Sequence, residues 1–264
     1  MRKMANKYLM QEDAPFDPKL WQLFNETMTD IAKAQLVGRR ILSVKGPFGL
    51  GLKQISITDV QIEPGVFSNK TLPLFYIHKT FNISKRDIAS YEREGVTLDL
   101  KNLITAVREC ATIEDRLIFE GINSHGLVSA PGTISMELSD WKNVGQAASD
   151  VIEAVTKLDE AGFHGPYLLA LSPDRYNLLF RRYESGNQTE YEHLSMIIKG
   201  IYKAPVLKNS GVLMSDSEAY ASIILGQDLS IGFIGPAEER FEFSISESLA
   251  LLINEPSSIC VLKG

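Results

Sequence analysis

Cysteine is scarce in this 264-residue chain, which contains only Cys110 and Cys260. Two cysteines are too few for a disulfide framework or a Cys-based zinc site, and both stand among apolar residues, so we expect two buried thiols. Histidine is also rare, with four residues. Because His78, His125 and His164 have no partner at ligand spacing, the sequence predicts no metal site.

Long apolar runs and basic runs are also missing. No stretch approaches the roughly 18 apolar residues of a membrane-spanning helix, and residues 1–7 lead into acidic residues rather than an apolar leader. We therefore expect a cytoplasmic protein without a membrane partner. The net charge is −6, and no Lys/Arg run exceeds two residues. This charge gives no footprint for phosphate backbones, so we expect no nucleic-acid partner.

The composition that is present, 44% hydrophobic and 23% charged, is that of a globular protein and excludes disorder and coiled coil. The length allows one large domain or two closely connected ones. Helical periodicity predicts helices over 17–38, 99–121 and 141–162, of which the second resembles a spine. Shorter helices are predicted after Ser172-Pro173 and, following the polar loop 183–190, up to about Gly200. Interleaved apolar runs predict strands at 167–171, 206–207, 211–214, 222–225, 241–245, 250–253 and 259–262. The fold class is therefore α+β.

Residues 46–81 show no helical period and predict a long β-ribbon. Ile55 and Ile57 alternate with polar residues, and the alternation shifts by one residue at Val60 and Ile62, which indicates a bulge. A two-stranded ribbon is marginally stable alone, so we expect this arm to pack on another copy of the chain. The tail before the first helix has apolar residues without a period, and such a tail frays unless another surface holds it.

Local motifs for catalysis or phosphate binding are weak. The glycine-rich segment 46–53 lacks the Lys-Ser/Thr pair of a P-loop and opens no helix, which favours turn glycines at the root of the ribbon. Ser124-His125 stands between Gly121 and Gly126, whose spacing is one residue too long for a nucleophile elbow. A polar turn after the spine helix, with Gly121 as its C-cap, is the favoured interpretation.

Two acidic motifs are equally weak. Glu190 and His193 have the Glu-x-x-His spacing of a di-iron helix, but such a site needs that motif twice. Glu114 and Asp115 are adjacent on the spine helix and point in different directions, so we interpret them as interface or solvent charges. The motifs together favour a structural or binding protein over an enzyme, with no cofactor.

Seven motifs, in order along nearly the whole chain, resemble those of encapsulins, the bacterial and archaeal nanocompartment shell proteins. They are APF at 14–16, QLVGRR at 35–40, GPFG at 46–49, LPL at 72–74, EDxxIFxG at 114–121, GPY at 165–167 and LGQDLSIG at 225–232. The last is the most specific.

The resemblance implies an HK97 phage-capsid-like α+β fold. Its parts would be an N-terminal arm with the first helix (1–45), an E-loop (46–81), a P-domain with the spine helix (82–135 and 226–264) and an A-domain (136–225). The resemblance also implies an icosahedral shell of sixty copies or a multiple. The short ribbon favours the smallest shell.

Members of this family perform no reaction themselves and enclose a cargo enzyme, often a ferritin-like protein or a dye-decolorising peroxidase, which a C-terminal targeting peptide attaches to the inner wall. The resemblance places peptide docking at the first helix and nearby P-domain strands, with Trp21 and Phe24 as candidates, although both also fit the core of that helix.

The resemblance places one polar loop at the five-fold pore. Its residues are Glu184, Ser185, Gly186, Asn187, Gln188, Thr189 and Glu190. A ring of Glu and Asn side chains would favour small cations, including ferrous iron. The alternative is a solvated loop without selectivity.

Some relatives bind a flavin against a tryptophan after the E-loop, but residues 82–88 contain no aromatic residue and Tyr91 stands at a different offset. The resemblance therefore does not extend to flavin binding. Two alternative functions stay open. One is a viral capsid protein, whose genome would favour a basic inner face. The other, less favoured, is a hydrolase or protease that uses Ser124 or His125.

Overall fold

The computed structural model describes residues 6–184 and 186–264. Its α-helices are α1 (Pro18–Gln35), α2 (Gly38–Ile41), α3 (Lys85–Glu94), α4 (Lys101–Phe119), α5 (Gln146–Glu160), α6 (Pro173–Leu178) and α7 (Glu190–Leu194). Its strands are β1 (Ser43–Lys45), β2 (Gln54–Glu63), β3 (Val66–Pro73), β4 (Phe75–Ser84), β5 (Ile134–Glu137), β6 (Tyr167–Leu171), β7 (Ile198–Lys203), β8 (Ser210–Ser215), β9 (Ala221–Ala237), β10 (Arg240–Ile253) and β11 (Ile259–Lys263). Within those ranges, no helix combines the length and the apolar character needed to cross a bilayer.

The chain forms two compact units, each built from several segments. Unit 1 contains residues up to 36, 46–114 and 224–250, whereas unit 2 contains residues 37–45, 115–223 and 251–264. The strands form a four-stranded sheet in the order β1-β9-β10-β4, a five-stranded sheet in the order β5-β11-β8-β6-β7 and a separate ribbon of β2 and β3. The α+β class is confirmed, and the units divide the chain at other points than the four expected domains.

Helix α1 of unit 1 begins where the sequence predicts. The Asp17 carboxylate accepts a hydrogen bond from the Lys19 amide, and Pro18 takes the first helical position, where a missing N–H costs nothing. The helix ends at Gln35, three residues before the predicted end at Gly38. Gly38 instead begins the short helix α2. Its buried stripe consists of Leu20, Phe24, Met28 and Ala32.

The arm before α1 is held by a polar network on β9 and β10. Asn6 Nδ2 donates to Gln227 Oε1 at 3.0 Å, and Gln227 Nε2 donates to Ser246 Oγ at 2.8 Å. Gln11 Nε2 donates to the Ile231 carbonyl at 2.6 Å. From Asn6 onward, strands β9 and β10 therefore provide the surface without which such a tail frays.

Strands β2 and β3 pair antiparallel with each other, and no further strand of the described ranges joins them. The register shifts between Ser56 and Thr58 and again between Gln61 and Glu63. The predicted change in alternation is confirmed, and it takes the form of two irregularities in β2. Such irregularities increase the local twist of a ribbon.

Unit 2 has α5 packed on its five-stranded sheet. Strand β6 pairs parallel with β7 and antiparallel with β8, and β11 pairs parallel with β5. The core includes Trp141, Val151, Leu158, Leu169, Leu171, Leu179, Leu194, Leu213 and Leu262. Helix α5 begins at Gln146 rather than near Trp141, because Trp141 and Gly145 both have positive φ, at 53° and 103°.

Three further elements differ from the sequence prediction. Helix α3 is missing from the prediction because it is mostly polar and has one buried residue, Ile88. Residues 198–203 form strand β7, whereas a helix was expected to reach about Gly200. Strand β9 extends to Ala237, far beyond the predicted end at Leu225, because glycines and polar residues interrupt its apolar pattern.

The interpretation of Glu114 and Asp115 as interface or solvent charges is wrong. Their side chains are 0% and 3% exposed. The Asp115 carboxylate accepts hydrogen bonds from the amides of Val37, at 3.0 Å, and Gly38, at 2.8 Å. Since α2 has no capping side chain of its own, Asp115 caps this helix from a distant part of unit 2.

Replacement of this cap should destabilise the protein. We expect Asp115→Ala to lower the thermal unfolding midpoint by about 5–10 °C, because it leaves buried amides without an acceptor. Glu120→Ala, which removes an exposed carboxylate just beyond α4, is the matched control. Scanning calorimetry measures both variants, and equal midpoints would contradict the capping role.

Candidate functional sites

Seven aromatic rings of unit 1 form one cluster around Phe243. Phe243 stacks on Phe81, with 5.1 Å between ring centroids, and it meets the edge of Phe24 at 5.3 Å. Trp21 lies 6.0 Å from both Phe24 and Phe243. The other members are Phe16, Phe233 and Phe241. The cluster joins the arm, α1, β4, β9 and β10.

The cluster has a buried layer and a partly exposed layer. Phe24 is 0% exposed, as is Phe243, whereas Trp21 is half-buried. Phe16, Phe233 and Phe241 are also half-buried. We call the four half-buried rings the aromatic surface.

The two docking candidates therefore differ in role. Trp21 belongs to the aromatic surface, while Phe24 lies beneath it and supports Trp21. One edge of the surface is cationic, since the ammonium of Lys85 lies 5.6 Å from the centroid of Phe241. Phe16, Phe233 and Phe241 were missed from sequence, although Phe16 lies in the APF motif and Phe241 alternates with the buried Phe243.

The ribbon exposes large apolar side chains. Val60, Ile62, Val66 and Phe67 are 47% to 66% exposed. Phe67 stands opposite Gln61, and Val66 stands opposite Glu63. Since a two-stranded ribbon has no second layer, these side chains have nothing within the ribbon to cover them.

The candidate pore loop is the tip of a small hairpin in unit 2. Arg182 and Thr189 form a β-bridge, and the Tyr183 amide donates to the Gln188 carbonyl at 3.1 Å. Below them, the Glu190 amide donates to the Arg181 carbonyl at 3.2 Å. The side chains of Glu184, Asn187 and Gln188 are exposed, as is Gly186. Ser185 lies outside the described residues.

Thr189 and Glu190 have structural roles at the end of this hairpin. The Thr189 hydroxyl accepts a hydrogen bond from the Glu192 amide and donates to the Glu192 carboxylate, so Thr189 begins α7 with a capping box. The Thr189 amide, and then its hydroxyl, donate hydrogen bonds to the Glu192 carboxylate and hold its pKa below its usual value. The Glu190 side chain is 0% exposed. The prediction that Glu190 lines the pore is therefore wrong, because a buried carboxylate cannot face a channel.

The weaker motifs have structural explanations. Gly121 has φ +72° and its amide bonds back to the Arg116 carbonyl, so the expected C-cap of the spine helix is confirmed. Ser124, at φ +62°, follows in an exposed turn. His193 Nδ1 lies 2.9 Å from the Tyr183 hydroxyl, so this ring supports the hairpin. In the ranges 6–184 and 186–264, no group of three His, Cys, Asp or Glu residues is placed to hold a metal.

Comparison with known proteins agrees with this architecture. The family model described as encapsulating protein for peroxidase matches residues 6–250. The type 1 encapsulin shell protein EncA of Myxococcus xanthus is 32% identical in an alignment of 279 positions, gaps included, that covers 97% of this chain and 96% of that protein. A ferritin-like-encapsulin shell fusion protein of Pyrococcus furiosus is 29% identical over 208 residues, which span 77% of this chain and 57% of that protein.

Solved structures give the same fold. The crystal structure of a virus-like particle from Pyrococcus furiosus superimposes with a TM-score of 0.75 at 21% identity, over 92% of this chain and 99% of that chain. The capsid of the Myoviridae phage XM1 has a TM-score of 0.59 at 11% identity, over 84% of this chain and 89% of that chain. The fold therefore belongs to the HK97-like class of proteins from which capsids and shells are built.

Within that class, the chain belongs to the encapsulin family of shell proteins. The match to the family model and to EncA establishes this membership, which confirms the resemblance seen in the sequence. Phage capsids share its fold only, so the viral alternative has the weaker support. The family is structural rather than catalytic, which also removes the support for a hydrolase that uses Ser124 or His125.

Both thiols should be unreactive in the folded protein. Burial raises the pKa of Cys110 to about 12 and that of Cys260 to about 11, so neither forms much thiolate at neutral pH. We expect no reaction with Ellman's reagent at pH 8 in native buffer and two thiols per chain after denaturation. A thiol that reacts rapidly in the native protein would contradict this burial.

Proposed function

We propose that this protein assembles into a closed icosahedral nanocompartment in the cytoplasm and encloses an oxidative or iron-storing cargo protein. The observation that carries the proposal is the ribbon β2–β3, whose exposed apolar residues are covered by no second layer of the ribbon. A neighbouring copy supplies that cover in a shell, and each ribbon then links two subunits. Closed icosahedral symmetry requires sixty copies or a multiple of sixty.

The cargo class follows from the relatives. The matching family model is described by the encapsulation of a peroxidase, and one relative is a fusion with a ferritin-like protein. We propose that a ferritin-like protein or a dye-decolorising peroxidase is the cargo here. Nucleic acid is not a proposed content, because the net charge of −6 opposes the packing of a phosphate polymer. Nucleic acid that co-purifies with intact particles would support a viral capsid instead.

The aromatic surface is the proposed docking site for the targeting peptide of the cargo. Phe16, Trp21, Phe233 and Phe241 present partly exposed rings on the rigid layer formed by Phe24 and Phe243. Such a surface takes apolar side chains of an extended peptide without a change in its own packing.

The hairpin tip is the proposed lining of the pore. With Glu190 buried, Glu184 is the carboxylate of the predicted set that is exposed, and Asn187 and Gln188 provide neutral polar groups. A ring of five Glu184 side chains favours small cations over anions.

A charge in the ribbon should prevent assembly. We expect Phe67→Asp to yield small oligomers or single chains, because the carboxylate must lose water at the contact that the ring makes in the shell. Phe67→Leu is the matched control and should still form particles, since it keeps an apolar side chain. Size-exclusion chromatography with light scattering measures both variants. Shells of normal size from Phe67→Asp would contradict the role of the ribbon.

Loss of the exposed indole should weaken cargo capture. We expect Trp21→Ala to reduce loading about tenfold, as for a central aromatic residue of an interface. The probe is a fluorescent protein that ends in the C-terminal peptide of a candidate cargo, a ferritin-like protein or a dye-decolorising peroxidase from the same genome, co-expressed with the shell. Fluorescence per particle measures loading. Gln22→Ala is the control, because Gln22 is exposed and bonds to Glu26 outside the aromatic surface. Equal loading in both variants would contradict docking at Trp21.

A further inference from the structure

A buried carboxylate joins the base of the hairpin to the beginning of helix α5. Glu190 Oε1 accepts hydrogen bonds from the amide of Gly145, at 2.8 Å, and from the amide of Ala148, at 3.3 Å. Both amides belong to the N-terminal end of α5, where Gly145 occupies the cap position and provides no capping side chain. Glu190 therefore supplies a cap that the local sequence of α5 lacks.

The second oxygen of the same carboxylate is paired with an arginine from the other side of the hairpin. Arg181 Nη2 lies 3.3 Å from Glu190 Oε2, and the Arg181 side chain is about a quarter exposed, at 27%. Arg181 Nη1 donates to the carbonyls of Trp141, at 2.7 Å, and Lys142, at 3.1 Å. Arg181 Nε donates to the Leu178 carbonyl at 3.0 Å. The guanidinium thus contacts the segment before α5 and the end of α6.

These contacts join the base of the hairpin to the beginning of α5. The two strands of the hairpin meet at Arg181 and Glu190, and both side chains reach the same segment, Trp141 to Ala148. Beyond this base, the stem has the Arg182–Thr189 bridge and the Tyr183–Gln188 hydrogen bond. The position of the tip therefore depends on an ion pair whose carboxylate is buried, and this carboxylate is costly to leave without its partner.

We infer that Arg181 and Glu190 are positioning residues that clamp the hairpin to the N-terminus of α5 and so fix where its tip stands. As a determinant of pore width, this inference rests on the proposed function of the loop. As an anchor of the hairpin, it stands on the contacts alone. Glu190 acts through the backbone of its neighbours and does not contact a passing solute.

The sequence offers a matched control for each member of the clamp. Arg182 is adjacent to Arg181 but exposed, and Glu192 is two residues from Glu190 and also exposed. Glu190→Gln and Glu192→Gln remove the same charge from the same short helix. Arg181→Gln and Arg182→Gln each remove one positive charge from the opposite side of the hairpin. Arg181→Lys keeps the charge but loses the forked geometry, so it serves if the other clamp variants fail to fold.

Hydrogen–deuterium exchange on assembled shells tests the anchor. In Glu190→Gln and Arg181→Gln, we expect peptides that cover 141–148 and 181–190 to exchange about tenfold faster or more, because both segments lose their shared contact. Residues 151–158 in the body of α5 should keep their protection. Glu192→Gln and Arg182→Gln should leave exchange at 141–148 unchanged. Exchange at 141–148 that is unchanged in the clamp variants, or equally fast in the controls, would overturn the inference.

The rate at which Co²⁺ enters assembled shells distinguishes a role of the clamp in anchoring the hairpin from a role of the loop in lining the pore. Shells reassembled around calcein-labelled dextran are mixed with Co²⁺, and the rate of quenching reports passage of a small cation. We expect the clamp variants to change this rate at least threefold in particles of normal size, and Glu184→Gln to slow it. If exchange rises as expected while Co²⁺ entry is unchanged in the clamp variants and in Glu184→Gln, the anchor is supported and the pore function of the loop is contradicted.

Discussion

Strands β2 and β3 can bury the side chains of the ribbon only against something outside the ribbon. They pair with each other alone among the described strands, and they carry apolar residues such as Ile62 and Phe67 into solvent. A single chain therefore leaves the ribbon uncovered, although its overall apolar content is ordinary. This constraint also favours assembly with further copies of the chain, because a second copy carries the same uncovered ribbon. Membership in the encapsulin family agrees with this physical argument.

Burial, rather than sequence position, separates the acidic residues of unit 2 that have structural roles from the acidic residue that is exposed at the hairpin tip. Asp115 caps α2 and Glu190 caps α5, each from a distant position in unit 2. Glu184 stands exposed at the hairpin tip. A buried carboxylate that satisfies backbone amides stabilises a junction that no local side chain can reach. The charge in the proposed pore is therefore smaller than a count of glutamates in the loop suggests.

Sequence patterns predicted the features that depend on local periodicity or on short motifs. The Asp17 cap, the spine helix with Gly121 behind it, and the irregular ribbon all follow from residues near one another in the chain. Helix α3 and the second half of β9 were not predicted, because polar residues and glycines interrupt their apolar patterns. The roles of Asp115 and Glu190 escaped for a different reason. The backbone amides that these two carboxylates cap are 42 to 78 residues away, and no spacing rule connects a carboxylate to such distant amides.

We expect the purified protein to exist as a closed particle of many copies. Two measurements on the wild-type protein test this most directly. Multi-angle light scattering gives the mass of the particle, and small-angle X-ray scattering gives its radius of gyration. We predict a single species with the mass of sixty 29.4-kDa chains or a multiple of sixty, and a radius several times the ~18 Å radius of gyration of a compact chain of this length. A well-folded species with the mass of one chain, at every concentration and salt tested, would contradict it.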